Sequence, residues 1–286
     1  METIVQDVRY ALRMLLKKPG ITLVAVVTLA LGIGANTAIF SIVDSVLLRP
    51  LPYRDPERVV KLWEGEPDGQ GQHAEYNVAP ANYIDIRDQS RSFEQVALYG
   101  QGAINLTVGD GEPERLATAY VSANLFAVLG VDPLLGRTFA PEEDQPGNDR
   151  VVLLSEGLWK RRFGADPSLA GKTVPFDGES YTVIGVLPAH GQFPDAVDAW
   201  LPAALPAEMA GNRAQHFLGV LARLAPGVTL AQARAEMKAI AGRLEQQFPG
   251  TNKDRGFNVD TVQEHAVREI RPTLLTLLAA VGFVLL

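Results

Sequence analysis

The sequence predicts an α+β domain held between membrane-crossing helices. Three observations carry that prediction. Residues 19–43 contain no charged side chain, and roughly 20 apolar residues suffice to cross the hydrocarbon core of a bilayer as a helix. A second apolar stretch, 273–286, follows Arg271-Pro272. Between the two, short β-type runs and amphipathic helical runs mix irregularly, without the repeating βα units of a parallel α/β fold.

Taken in order, the chain opens on an amphipathic stretch. Arg9, Arg13 and Lys17 recur every fourth residue as a basic stripe, opposite Ile4, Val8, Leu12 and Leu15. That pattern predicts a helix over 1–18 lying on membrane lipid. Its positive charge next to the apolar run places the N-terminus in the cytoplasm and the body after Arg49 on the far side. The span itself is expected over 19–48. Ala30, Gly34 and Ala38 repeat at four-residue spacing along it, a pattern that lets a neighbouring helix approach closely. Asn36 and Asp44 are the polar interruptions, and interfacial or packing positions suit them. A cleaved signal peptide is the competing reading, with Gly34-Ala35 or Thr37-Ala38 at the cut. The apolar run continues past both to Leu47-Leu48, which favours a retained helix.

Arg49-Pro50-Leu51-Pro52 breaks that helix and begins the body, 49–271, long enough for a real core. A strand is predicted at 59–63, a Gly-rich loop at 65–72 and a helix at 79–89. Strands 104–108 and 115–121 flank Gly109-Asp110-Gly111, a hairpin signal. A short helix, 124–129, is closed by Gly130. A strand at 151–154 precedes a helix at 157–163. Asp177-Gly178 joins a second hairpin, 172–176 with 180–186, and Pro and Gly crowd 187–206. After a strand at 216–224, Thr229 and Gln232 have capping-box spacing. They open a helix whose apolar face is Leu230, Ala233, Met237, Ile240 or Ala241, Leu244 and Phe248. A last strand covers 257–262. Pro272 suits the first position of a second membrane helix, and 272–286 reads as the start of one that is cut short.

Composition removes several functions. The 286 residues carry a formal net charge of −7 and no run of five basic residues, which argues against nucleic acid. With no cysteine, disulfides, thiolate metal sites and cysteine nucleophiles are excluded. Gly171-Lys172-Thr173 resembles the end of a phosphate-binding loop, but Asp166 stands where the first glycine belongs, and a hairpin follows instead of a helix. Gly32-Ile33-Gly34 lies inside the expected span. His73, His190, His216 and His265 are scattered, Ser155 lacks a nucleophile turn, and the acidic run Glu142-Glu143-Asp144 with Glu156 reads as solvated surface. No catalytic, cofactor or metal constellation emerges, so a non-enzyme is expected.

Three N-terminal runs carry a family resemblance: Asp7-Val8-Arg9-Tyr10-Ala11-Leu12-Arg13, then 29–40 (Leu-Ala-Leu-Gly-Ile-Gly-Ala-Asn-Thr-Ala-Ile-Phe), then Leu47-Leu48-Arg49-Pro50-Leu51-Pro52-Tyr53. Residues 130–139, 155–159 and 181–186 add to it. Together they resemble bacterial ABC-transporter permeases of the MacB/FtsX-like group, most of all the duplicated permeases of the acidobacterial type. The resemblance implies an inner-membrane protein whose periplasmic core, 49–271, holds porter-like βαβ pieces with a β-rich subdomain inserted at about 130–212. It implies a separate cytoplasmic ABC ATPase, a second permease half or a homodimer, and a periplasmic or outer-membrane partner. The function implied is export or mechanotransmission, with ATP-driven movement carried to the periplasmic domain. A membrane-anchored periplasmic binding or sensor module is the alternative.

Overall fold

The computed structural model describes residues 17–43, 51–65, 75–107 and 112–266, with Tyr10, Arg268, Thr273 and Thr276. Contacts divide the chain into two compact units: Leu51–His265, and Met1–Pro50 with Ala266–Leu286.

In the latter unit, helix α1 covers Pro19–Val43, 25 residues, which at 1.5 Å each measure about 37 Å. Thr22, Thr28 and Thr37 sit on it, and each hydroxyl donates to the carbonyl four residues back at 2.8–3.1 Å. Those bonds satisfy groups that apolar surroundings would penalise. Ile21, Leu23, Val24, Val26, Val27 and Ile33 are exposed along the helix. Side chains at 25, 29, 31, 35, 36 and 38–43 lie outside the described residues. Among the described residues no helix is long and apolar enough to cross a membrane. Ala30 and Gly34 are exposed on α1, and the α1 backbone includes Ala38. Lys17 of the predicted basic stripe is exposed, whereas Arg9 and Arg13 lie outside the described residues, as do 44–48 and nearly all of 272–286.

The other unit is built on a 10-stranded sheet. Its elements, in chain order, begin with β1 (Val59–Gly65), α2 (Pro80–Gln89), β2 (Phe93–Leu106), β3 (Glu114–Val121) and α3 (Leu125–Leu129). There follow β4 (Leu135–Gly136), β5 (Val151–Ser155), α4 (Glu156–Phe163), β6 (Thr173–Phe176), β7 (Glu179–Leu187) and β8 (Ala199–Pro202). The last are α5 (Ala207–Ala210), β9 (Gly219–Leu224), α6 (Leu230–Gln247), α7 (Pro249–Asn252) and β10 (Gly256–Thr261). The strand order is β10-β1-β9-β2-β3-β8-β5-β7-β4, with β6 pairing β7 and the end of β2.

Local chemistry accounts for most of these elements. The Thr229 hydroxyl accepts from Gln232 N–H while the Gln232 side chain accepts from Thr229 N–H, so α6 starts at the predicted capping box. Ser155 caps α4 through Leu158 N–H, and Gly164, left-handed at φ 59°, ends it. Asp177 and Gly178, both at positive φ, make the tight turn between β6 and β7 that a twisted hairpin requires.

β1 and β2 run parallel with β9 between them, and β9 and β10 run parallel with β1 between them. With α2 and α6 as the connecting helices, β1-α2-β2 and β9-α6-β10 are two split βαβ units interleaved. Everything from β3 to α5, between β2 and β9, is inserted between them, and residues 130–212 fall inside this stretch. Val60, Leu62, Val96, Leu98 and Val220 face α2 and α6, which bury Ile86, Met237, Ile240 and Leu244 against them. On the opposite face Val59, Ala97 and Leu221 pack with α3 and Trp200. A third core lies where Leu158 of α4 meets β5, β6 and β7. The fold is thus a mixed α and β domain, buried on both faces of its sheet.

Candidate functional site

The chain comes into the sheet through β1 and leaves it through β10, and these two strands are antiparallel neighbours. Val60 stands opposite Thr261, and the ladder continues to Gly65 opposite Gly256. The segment that leads in (51–58) and the one that leads out (262–265) therefore lie at the same end of the same strand pair. Tyr53 and Val262 also pack against one core, the α3 side of the sheet. Burial, with Asp195 nearby, raises the Tyr53 phenol to about 12.

The incoming segment is fastened by two guanidinium groups. Arg223 lies on β9 and is only 6% exposed. Its Nε donates to the Val128 carbonyl at 2.9 Å, and its Nη2 donates to the Arg54 carbonyl at 2.7 Å. Burial, with the neighbouring positive charge of Arg58, lowers its pKa. Arg58 holds the Leu224 carbonyl through Nε (3.0 Å) and Nη2 (2.6 Å) and pairs with Glu94 at 2.6 Å. Asp55, left-handed at φ 45°, brings its carboxylate within 3.7–3.8 Å of both guanidinium groups. Arg54 N–H donates to the Leu129 carbonyl. The end of α3 and the incoming backbone are thus sewn together by hydrogen bonds that a buried arginine can satisfy from one fork.

The outgoing segment has its own fastenings. Arg234 of α6 donates from Nε to the Val259 carbonyl at 2.8 Å and pairs with Asp260 at 2.5 Å, covering the outer edge of β10. The Thr261 hydroxyl accepts from Glu264 N–H, and the backbone turns helical over 262–266. His265 is then laid over Trp63 of β1, ring centroids 5.1 Å apart.

At the opposite end of β1 sits a buried polar cluster. Glu64 is fully buried; its Oε1 accepts from Ala79 N–H (2.8 Å) and the Asn82 amide (3.0 Å). Its Oε2 faces His216 at 3.1 Å and Arg255 at 3.9 Å. Arg213 joins Asn82 to Asp85 at 2.6 Å each and lies 3.8 Å from the Phe248 ring centroid. Glu64 thus places its carboxyl at the start of α2, where the N–H groups of the first turn are directed.

Sequence reasoning did not single out Arg54, Arg58, Arg223 or Glu64. The signal for Arg223 was a charged residue inside the otherwise apolar run of β9, and its partners lie far away in the chain; Glu64 shares β1 with Lys61 and carries no such signal. Asp166 and Lys172 do meet, at 2.8 Å, and the pair holds the Asp166 carboxyl down to about 2; the contact secures a loop and builds no phosphate cradle. Asp144, from the acidic run, is a half-buried staple accepting from Ala123 and Ala204 N–H. Among the described residues no group of three or more His, Cys, Asp or Glu is placed to hold a metal.

The segments entering and leaving the sheet are thus fastened side by side on one core. The family described as the MacB-like periplasmic core domain matches residues 22–240. This chain belongs to that family. Two solved structures share the fold of this MacB-like domain. A domain of a protein assigned as a permease from Porphyromonas gingivalis superposes with a TM-score of 0.56 at 16% identity, covering 73% of this chain and 91% of its own. The periplasmic region of MacB from Actinobacillus actinomycetemcomitans gives 0.52 at 18% identity, covering 82% and 98%. No curated protein matches the MacB-like chain.

Proposed function

We propose that this chain is the membrane-anchored periplasmic arm of an ABC-type permease. In this reading a separate cytoplasmic ATPase, working on a permease dimer or a paired second half, drives the membrane helices. The helices move the domain, and the domain acts on a substrate or partner in the periplasm. The chain sits in a bacterial inner membrane with its N-terminus cytoplasmic, crossing once through 19–48 and returning from 272.

One observation carries the proposal: the two segments that join the domain to its tethers are adjacent, Val60 opposite Thr261, and are seated on one core through Tyr53 and Val262. A close-packed interior transmits displacement because it is hard to compress. Two tethers anchored side by side therefore turn a change in their spacing into rotation of the body. The sequence carries no charge from 19 to 43, as a membrane span requires, and membership of a family of periplasmic core domains supports the periplasmic placement.

The chain lacks cysteine, so introduced thiols are unique labels. With Glu208→Cys, a membrane-impermeant maleimide should label intact spheroplasts; with Lys17→Cys it should label only after lysis. The coupling test inserts a flexible Gly-Ser linker between Leu51 and Pro52 in the permease that carries this chain. Transport should be lost while insertion, folding and basal ATP hydrolysis persist. Undiminished transport would sink the coupling proposal, and labelling of Lys17→Cys from outside would sink the topology.

A further inference from the structure

We infer that Lys61, His265 and Glu75 form a proton-sensitive latch where the chain leaves the domain. This rests on the proposed role of that segment as a tether. His265 Nε2 lies 2.5 Å from Lys61 Nζ and 3.5 Å from Glu75 Oε2. An ammonium has only donors, so the short contact makes Nε2 the acceptor and leaves the ring proton on Nδ1. The imidazole is nearly buried, its side chain 9% exposed, and its ring packs tilted against Trp63.

In the neutral state the hydrogen bond from Lys61 and the Trp63 contact hold the outgoing turn, 262–265, on β1. A proton taken up at Nε2 occupies the lone pair that Lys61 uses. The Lys61 bond breaks, two positive groups are left in contact, and the new N–H donates to Glu75, 3.5 Å away. The turn thereby exchanges an anchor on β1 for one on the residue preceding Tyr76. Two further carboxylates nearby are engaged by Arg234. Asp260, opposite Lys61 in the ladder, is held by Arg234 from α6, and Glu264 on the turn itself is 3.8 Å from the same guanidinium. Histidine is the side chain whose charge changes in the range an envelope compartment meets. The contact of the outgoing turn thus passes from Lys61 on β1 to Glu75 as the surroundings acidify.

Trp63 is a built-in reporter among only three tryptophans. The whole chain, labelled with 5-fluorotryptophan and held in detergent, gives three fluorine resonances, and the one missing in Trp63→Phe is Trp63. Between about pH 8 and pH 5 that resonance should shift along a single titration curve while the other two stay still. In His265→Gln, whose amide oxygen can still accept from Lys61, it should stay at its high-pH position. In Glu75→Gln, which removes the acceptor of the protonated state, the midpoint should move to lower pH. A Trp63 resonance that does not move in the unaltered chain, or moves equally in His265→Gln, overturns the latch. This readout needs no ATPase: transport lost on linker insertion with an unmoving resonance keeps the coupling and refutes the latch. A titrating Trp63 with undiminished transport keeps the latch contacts and refutes the coupling.

Discussion

Arg54 is packed so closely on Gly130 that a Cβ added at Gly130 would lie 2.4 Å from the Arg54 Cβ. Gly130 also ends α3 in the left-handed region, at φ 68°. Two demands, a helix-ending conformation and the passage of the incoming segment, fall on one position, and only glycine meets both. Gly130→Ala should therefore cost more than the roughly 1–2 kcal/mol of a strained left-handed residue, because Arg54 must also shift. Urea unfolding followed by circular dichroism would check it. A loss below about 0.5 kcal/mol, the level of an uninvolved surface site, would show that the segment yields freely.

The same seam depends on Arg223. Replacing it by Met removes two hydrogen bonds and leaves the Val128 and Arg54 carbonyls without that partner, at about 1–3 kcal/mol for each buried acceptor. Relief of the guanidinium's own burial offsets part of this. The expected net loss is about 2–4 kcal/mol. Arg223→Lys should rescue little, because one ammonium cannot reach two carbonyls as a planar fork does. Equal stabilities for the Lys variant and the parent would refute this account of the fork.

Much of the frame is legible in the sequence where the cause is local. The Thr229–Gln232 box, the Asp177-Gly178 turn and the Gly130 stop are each decided by neighbours within a few residues, and the structure has all three. The first eleven residues of β2, 93–103, are not legible in this way. A bulge between Phe93 and Gln95 breaks the alternation, and Gly100 and Gly102 interrupt it. The missing side chain at Gly102 is supplied by Tyr120, across the ladder on β3, whose ring covers it. Tyr99 does the same for Gly219 on β9. β8, hidden in the Pro- and Gly-rich run, is defined only by its partners β3 and β5. The Arg223 seam fails to show for the same reason, since Arg223 reaches residues 95 and 169 positions away.

Glu64 lies at the far end of β1 from the entering segment, so its loss should be felt away from the Arg223 seam. Glu64→Ala leaves the Ala79 N–H and the Asn82 amide without their shared acceptor, and His216 and Arg255 without the carboxylate they face. Breaking a buried charged network from one side costs about 3–5 kcal/mol. Glu64→Gln keeps an oxygen for Ala79 and Asn82 but turns an NH2 toward His216 and Arg255, so it should lie between Ala and the parent. Hydrogen exchange gives the sharper check: amides in the first turn of α2 should lose protection before those of α6. Uniform loss across both helices would mean that Glu64 supports the core as a whole and is no specific cap.

Asp144 sets a pH dependence of definite sign. Its two oxygens accept from Ala123 and Ala204 N–H, yet burial, the largest influence, raises its pKa, and the backbone bonds with Arg87 only partly compensate. The folded pKa lies above the unfolded one. The stability tied to this group is therefore complete below the ordinary aspartate range and is lost as pH rises through the raised folded value. Asp144→Asn has no such titration, and with one carbonyl oxygen it can serve one of the two N–H groups fully. The parent should exceed Asp144→Asn in stability most at low pH, and the gap should narrow as the solution approaches neutrality. Unfolding midpoints of both proteins across that range test it. A gap that widened toward neutral pH would mean that the hydrogen bonds outweigh burial and that the ionised carboxylate is the favoured form in the folded domain.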